Sequence, residues 1–169
     1  MIDLVTIRCE NGRYIANWGV GAGQCSVGRG GIGVKEKEGD GITPVGTWPL
    51  RGVLYRAERQ PALKTELSHS IIAPNDGWCD AAEDENYNLP VKLPYPASAE
   101  ALWRDDGLYD IVVVIGFNDA PVVLGKGSAI FLHVAANNFA NTEGCVALKK
   151  KDLVNLLSVI SHSAKIRIE

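Results

Sequence analysis

The 169-residue chain lacks what several classes of partner require. No apolar run approaches the ~20 residues that a membrane span needs. Lys+Arg (17) fall short of Asp+Glu (20), giving a net charge of −3, so there is no basic excess to hold nucleic acid or an anionic membrane. There is no internal repeat and no low-complexity tract. The opening, MIDLVTIRCENGRYI, has no basic n-region, no apolar h-region and no small-residue cleavage site. The expectation is a cytoplasmic protein, or one whose export signal lies outside these residues. Cys9, Cys25, Cys79 and Cys145 form no CxxC pair and show no metal-ligand spacing. No metal and no cofactor are expected, and the thiols are expected to be free, although Cys9 and Cys25 can approach if their strands pair.

What is present is an ordinary globular composition, 46% apolar and 22% charged. A chain of this length buries about 70% of its unfolded surface and needs no staples. Its pattern is mostly β. A first strand begins at Ile2, Leu4 and Ile7, followed by segments 13–20 and 21–28, then 45–55 with Pro49 interrupting or edging it. YDIVVVIGFN (109–118) is a continuous β-branched run, as in a strand buried on both faces. Segments 128–135, 144–148 and 164–169 complete the set. One helix is predicted within 149–163, from Leu153, Leu156, Leu157 and Ile160 at i, i+3, i+4, i+7. A second, weaker one is predicted over 98–106, with Ser98 as N-cap and Glu100 in its first turn. Residues 56–107, rich in Pro and acids, read as a long excursion without regular structure inside a single 1–169 domain. The fold class is therefore mainly β, a two-sheet sandwich or partly closed barrel with one or two short helices.

Two motif-like stretches carry no chemistry. GRGGIG (28–33) matches GxGxxG, but the following VKEKEGDGITPVG cannot open the helix that a dinucleotide site needs, so a glycine-rich hairpin is expected. DAAEDENYN (80–88) lacks calcium-loop spacing and reads as a solvated acidic loop. His69 falls in the excursion and His162 in the last turn of the predicted helix, neither with ligand-type neighbours.

His133 and Cys145 are different. A free thiol titrates near ~8.5, and a histidine partner or a helix N-terminus can lower that value. Alternation along 128–135 puts His133 on one face with Phe131 and Ala135, and Ile130, Leu132 and Val134 on the other. Gly144 places no side chain beside the sulfur, which lets backbone amides reach a developing oxyanion. On the residues alone, Cys145 reads equally well as a nucleophile and as a buried thiol.

The order His…[Ser/Thr]-x-Gly-Cys resembles the L,D-transpeptidase catalytic domain, a bacterial family that cross-links or trims peptidoglycan with a cysteine nucleophile. His133 matches the family's first histidine, Thr142 its Ser/Thr, Gly144 and Cys145 its Gly-Cys, and Val146 the apolar residue that follows. DGITPVGTWPL (40–50) is similar to the family's Thr-Pro-x-Gly-x-aromatic segment, read as a turn with Pro44 second and Gly46 fourth. The chain departs from the pattern in three places. The His–Cys spacing is short, Glu143 stands where the family has a second histidine, and Ala147 stands where it has Arg or Asn.

The resemblance implies acyl transfer through a Cys145 thioester on D-amino-acid-terminated stem peptides of peptidoglycan. His133 would be the base and acid, and the Gly144 and Cys145 amides would hold the oxyanion. It also implies a periplasmic or cell-envelope setting and carbapenem β-lactams as inhibitors. On extended backbone Glu143 shares a face with Cys145, where a bare carboxylate ~4 Å away opposes the thiolate by ~1 to ~4 kcal/mol. Glu143 must therefore point elsewhere, be protonated, or sit beside His133 and stabilise the imidazolium; the last is the expectation, with Thr142 in support. Trp78, Trp103, Asp76 and Asn118 are expected as pocket walls, unless the tryptophans simply anchor the excursion. The competing readings are a cell-wall cysteine peptidase or amidase and a non-catalytic peptidoglycan-binding module.

Overall fold

Alternation of apolar residues builds most of the fold. The computed structural model describes residues 1–169, with strands β1 (Ile2–Glu10), β2 (Arg13–Asn17), β3 (Ala22–Ser26), β4 (Ile32–Gly33), β5 (Thr43–Pro44), β6 (Gly46–Tyr55), β7 (His69–Ile71), β8 (Asp76–Cys79), β9 (Pro90–Lys92), β10 (Ala99–Ala101), β11 (Ile111–Ile115), β12 (Phe131–Val134) and β13 (Val146–Leu148), then helix α1 (Lys150–Leu157) and strand β14 (Ile160–Ile168). The main sheet runs β11-β12-β13-β3-β2-β1-β14-β6-β7, and β6 also pairs with β11, which closes eight strands into a barrel. Closure leaves few exposed edges. Of the two architectures open to the sequence, this is the barrel.

In β11, Ile111, Val113 and Ile115 enter the barrel core, whereas Val112 belongs to a second apolar cluster outside it. That double burial explains the unbroken β-branched run. The same rule sorts the neighbours. Ile130, Leu132, Val134, Val146 and Leu148 point inward, and Phe131 and Cys145 point outward. Helix α1 covers the core with Leu153, Leu156 and Leu157, all fully buried.

The helix is shorter than expected. It stops at Leu157 with Ser158 as C-cap, and Ile160 begins β14, which lies parallel to β1 with Ile160 opposite Ile2. Val159 and Ile160 are β-branched and gain more as sheet than as a last helical turn. His162 accordingly lies exposed on β14, not in the helix.

The excursion is not irregular. Strands β8, β9 and β10 form their own antiparallel sheet, and β7 extends the main sheet beside β6. No helix forms over 98–106. Glu100 and Ala101 pair with Trp78 and Gly77, and the Ser98 carbonyl accepts from Asp80 N–H at 3.2 Å. A nine-residue helix is marginal by itself, and the sheet offers these backbone groups better partners. The small sheet and the segments flanking it pack on the outer face of β11–β12 through Ile72, Trp78 and Leu102, against Val112 and Phe131.

The glycine-rich segment is a loop, not a hairpin. Its β4 runs parallel to β5, with Ile32 opposite Thr43. Thr43–Pro44 is extended instead of forming the expected turn, because this pairing occupies it. Cys9 and Cys25 lie on β1 and β3, which β2 separates, and all four thiols are free.

Candidate functional site

Strand register puts Cys145 and His133 on one face of the sheet. In the parallel pair β12–β13, His133 stands opposite Ala147, so Cys145, two residues earlier on the same face, lies diagonally across from it. With strands ~4.8 Å apart and ~3.3 Å of rise per residue, the two Cα atoms are about 8 Å apart, within side-chain reach. Both residues line one cleft of about 420 Å³ on the outer face of the barrel. The cleft lies where the barrel meets the excursion.

The sulfur is held tightly. Sγ accepts from Phe131 N–H at 3.3 Å and donates to the Ala129 carbonyl at 3.2 Å. Burial pushes the thiol up to about 12. The Glu100 carboxyl adds to that rise, against the Phe131 amide and the Lys35 cation. Burial likewise lowers His133, to about 4, reinforced by the nearby Arg104 and opposed by the Val134 carbonyl. The resting pair is neutral thiol and neutral imidazole. Helix α1 starts only after β13, so its N-terminus does not abut the sulfur. His133 Nδ1 lies 2.9 Å from the Val134 carbonyl. The carbonyl can only accept, so Nδ1 carries the proton and Nε2 keeps its lone pair.

The loop before Cys145 is pinned from two sides. Thr142 Oγ1 donates to the Cys145 carbonyl at 2.6 Å and accepts from Gly144 N–H at 3.1 Å. Of the two amides expected at an oxyanion, that of Gly144 is therefore already engaged, and that of Cys145 has no internal acceptor. Thr43, fully buried, accepts from Gly28 N–H and donates to the Gly144 carbonyl, both at 2.8 Å. A side chain at Gly144 would meet the Ile42 carbonyl at 2.9 Å, and its φ of +140° is one that glycine tolerates. That φ also breaks the extended alternation on which Glu143 was expected to share the face of Cys145. Glu143 instead turns to the rim, with a side chain 76% exposed and Oε2 2.8 Å from Arg29 Nε. It does not pair with His133.

The opposite wall comes from the excursion and the segment that follows it. Tyr109 packs edge-on against His133, with ring centroids 5.2 Å apart, and against Phe131 at 6.0 Å. Its hydroxyl donates to Glu100. Burial holds the Glu100 carboxyl above its ordinary value and the Tyr109 phenol far above its own. The Arg104 guanidinium lies 5.0 Å over the Tyr109 ring and is paired with Asp106. Asp80, Glu38 and Lys35 also reach the cleft. Nothing in the sequence marked these residues, because each becomes a neighbour of Cys145 only through pairings far apart in the chain.

None of the four expected pocket walls lines the cleft. Trp78 is buried behind it, edge-on to Phe131 at 5.1 Å, with its indole N–H on Asn88. Trp103 lies under the Arg56 guanidinium, 3.2 Å from its carbon. Both tryptophans anchor the excursion. Asp76 accepts from Ala73 N–H and pairs with Lys92 within the small sheet. Asn118, at φ +50°, closes its own loop through the carbonyls of Val123 and Gly127. The polar groups of Asp76 and Asn118 are consumed by local turns, which is the common fate of Asx side chains.

A search of curated proteins finds no match to this chain. The family model of the YkuD L,D-transpeptidase catalytic domain matches residues 2–168, nearly the whole chain. With its β barrel, and with a cysteine and a histidine lining one cleft on its outer face, the chain belongs to the YkuD L,D-transpeptidase catalytic-domain family.

Proposed function

We propose that this protein is a cysteine acyltransferase of peptidoglycan, acting on stem peptides that end in a D-amino acid. The observation that carries the reading is the register of β12 and β13, which turns Cys145 and His133 into one cleft. In the reaction, His133 Nε2 takes the thiol proton as sulfur attacks the carbonyl of the residue before the terminal D-amino acid. The new S–C bond makes a tetrahedral oxyanion, which the Cys145 N–H is free to hold. As the C–N bond breaks, His133 returns the proton to the leaving amine, leaving a thioester. An amine of a second stem then attacks, which gives a cross-link and regenerates the thiol. Water in that place gives a carboxypeptidase.

Two neutral, buried partners suit this sequence. The charged pair forms only as the sulfur attacks, so its energetic cost falls within the chemical step and no standing thiolate is exposed to oxidation.

The test is intact mass after incubation with a carbapenem. One adduct on wild type and none on Cys145→Ala supports the nucleophile. An unmodified wild type that still binds muropeptides makes the chain a binding module. Digestion of purified muropeptides then separates cross-linked from shortened products.

A further inference from the structure

The cleft walls hold two cations, and only one is available to a ligand. Lys35, with a side chain 2% exposed, gives its ammonium to Asp40 at 2.6 Å and to the Ile42 carbonyl at 3.4 Å. Arg104 is a third exposed. Its Nε and Nη2 contact Asp106, and Nη1 makes no hydrogen bond within the protein. The Arg104 carbonyl accepts from Arg56 Nη1 at 2.9 Å and from Arg59 Nη1 at 3.4 Å, so its backbone is fixed. The guanidinium is stacked over Tyr109, whose ring in turn meets His133. Ala147, directly opposite His133 in the sheet, contributes only a methyl group to the same cleft and leaves that place without a charge.

We infer that Arg104 is the carboxylate-binding residue of the cleft, supplied by the excursion, and that it selects peptides whose terminal carboxylate is free. The inference rests on the acyl-transfer reading for which bond is cut, but not for the binding itself. A peptide cleaved one residue from its end carries its carboxylate a few ångströms from the scissile carbonyl. Arg104 is separated from the base by one aromatic ring, its guanidinium 5.0 Å over Tyr109 and the Tyr109 centroid 5.2 Å from that of His133. The unoccupied Nη1 supplies donors at once, and the Asp106 carboxylate, 45% exposed, is a solvent-screened partner that a ligand can displace from Nη2. A two-pronged carboxylate contact then forms, the geometry to which a guanidinium is suited and an ammonium is not.

The experiment compares one N-acylated tetrapeptide ending in D-alanine, as free acid and as C-terminal amide, on wild type, Arg104→Gln and Arg104→Lys. Thermal unfolding of each variant checks the fold. Wild type is expected to favour the acid by roughly 10- to 100-fold in kcat/KM, mostly through KM, as befits a charge-assisted hydrogen bond. Arg104→Gln is expected to lose that preference, with the ratio of acid to amide falling toward one, and Arg104→Lys to recover only part of it. If Arg104→Gln keeps the preference, the inference is overturned and the acyl-transfer reading stands. If wild type releases no D-alanine, that reading fails. The inference is then decided by calorimetric titration of the same two peptides into Cys145→Ala, with and without Arg104→Gln. Equal affinity for the acid in both overturns it.

Discussion

Thr43 Oγ1 donates to the carbonyl of Gly144 at 2.8 Å across 101 residues of chain. It also accepts from Gly28 N–H, so one buried hydroxyl ties the Thr-Pro segment, the glycine-rich loop and the cysteine loop together. The upstream block that resembles the family's Thr-Pro segment thus has a physical task, which is to fix the carbonyl immediately before Cys145.

Thr43→Val keeps the shape and removes the hydroxyl. Two backbone groups are then stranded in a dry site, at about 1–3 kcal/mol each. Urea unfolding is expected to show that loss, and carbapenem acylation of Cys145 is expected to slow as the loop loosens. Thr43→Ser restores both. Wild-type stability in Thr43→Val would show that the hydroxyl does not set the loop.

Neutral partners leave a mark on pH behaviour. With the thiol held up to about 12, alkylation of Cys145 by iodoacetamide, measured in a Cys9→Ser background, is expected to climb with pH without a plateau below pH 9. A plateau near pH 7 would mean a standing thiolate. His133 acts on stability in the opposite range. Its folded-state value, about 4, lies below the ordinary 6.5, so the unfolded chain binds the extra proton first as pH falls. Stability is lost from about pH 6.5 down to about pH 4. Substituting His133→Gln is expected to flatten that part of the curve.

The parts of this architecture visible in the sequence are those written in short-range alternation. Residues 109–118 announced a strand buried on both faces because Val112 and Val113 must each find an apolar partner, one outside the barrel and one inside. His133 was assigned correctly to the face opposite Leu132 by the same rule. The rule failed where one φ angle intervened, at Gly144, and Glu143 swung to the rim. It also failed where strands were too short to alternate. Three-residue β9 and β10 carry no readable period, so the first reads as loop and the second as the start of a helix. Arg104, Tyr109 and Glu100 are ordinary residues in sequence, and only the packing of that sheet onto the barrel makes them neighbours of Cys145.

Glu143 gives a prediction of little change. Its carboxylate pairs with Arg29 in solvent, at 2.8 Å with both side chains more than half exposed. Such pairs contribute little and are screened by salt. Glu143→Gln is expected to leave the carbapenem acylation rate and the pH dependence of Cys145 alkylation within about twofold of wild type, by the small worth of an exposed pair. A large shift in either would return Glu143 to the chemistry of the site.

Lys35 gives the opposite case. Its ammonium is buried beside the cysteine loop, and a side chain built at Gly144 would come within 3.6 Å of it. Burial alone would raise the Asp40 carboxyl, yet Lys35 and the amides of Ile42, Lys37 and Glu36 together hold it well below the usual range. Removing one member of such a pair leaves the other charge stranded, at about 3–5 kcal/mol for a fully buried pair and toward the low end here, since the Asp40 side chain is 12% exposed. Lys35→Met is therefore expected to destabilise the protein strongly at neutral pH, as read by urea unfolding. The deficit relative to wild type shrinks as pH falls, because protonating Asp40 removes the stranded charge in the variant while breaking the ion pair in wild type. The double variant Lys35→Met/Asp40→Asn recovers part of the loss at neutral pH. Its Cys145 is expected to alkylate more slowly than wild type, since the cation that favours the thiolate is gone. If the double variant is no more stable than Lys35→Met, the stranded carboxylate is not the source of the loss.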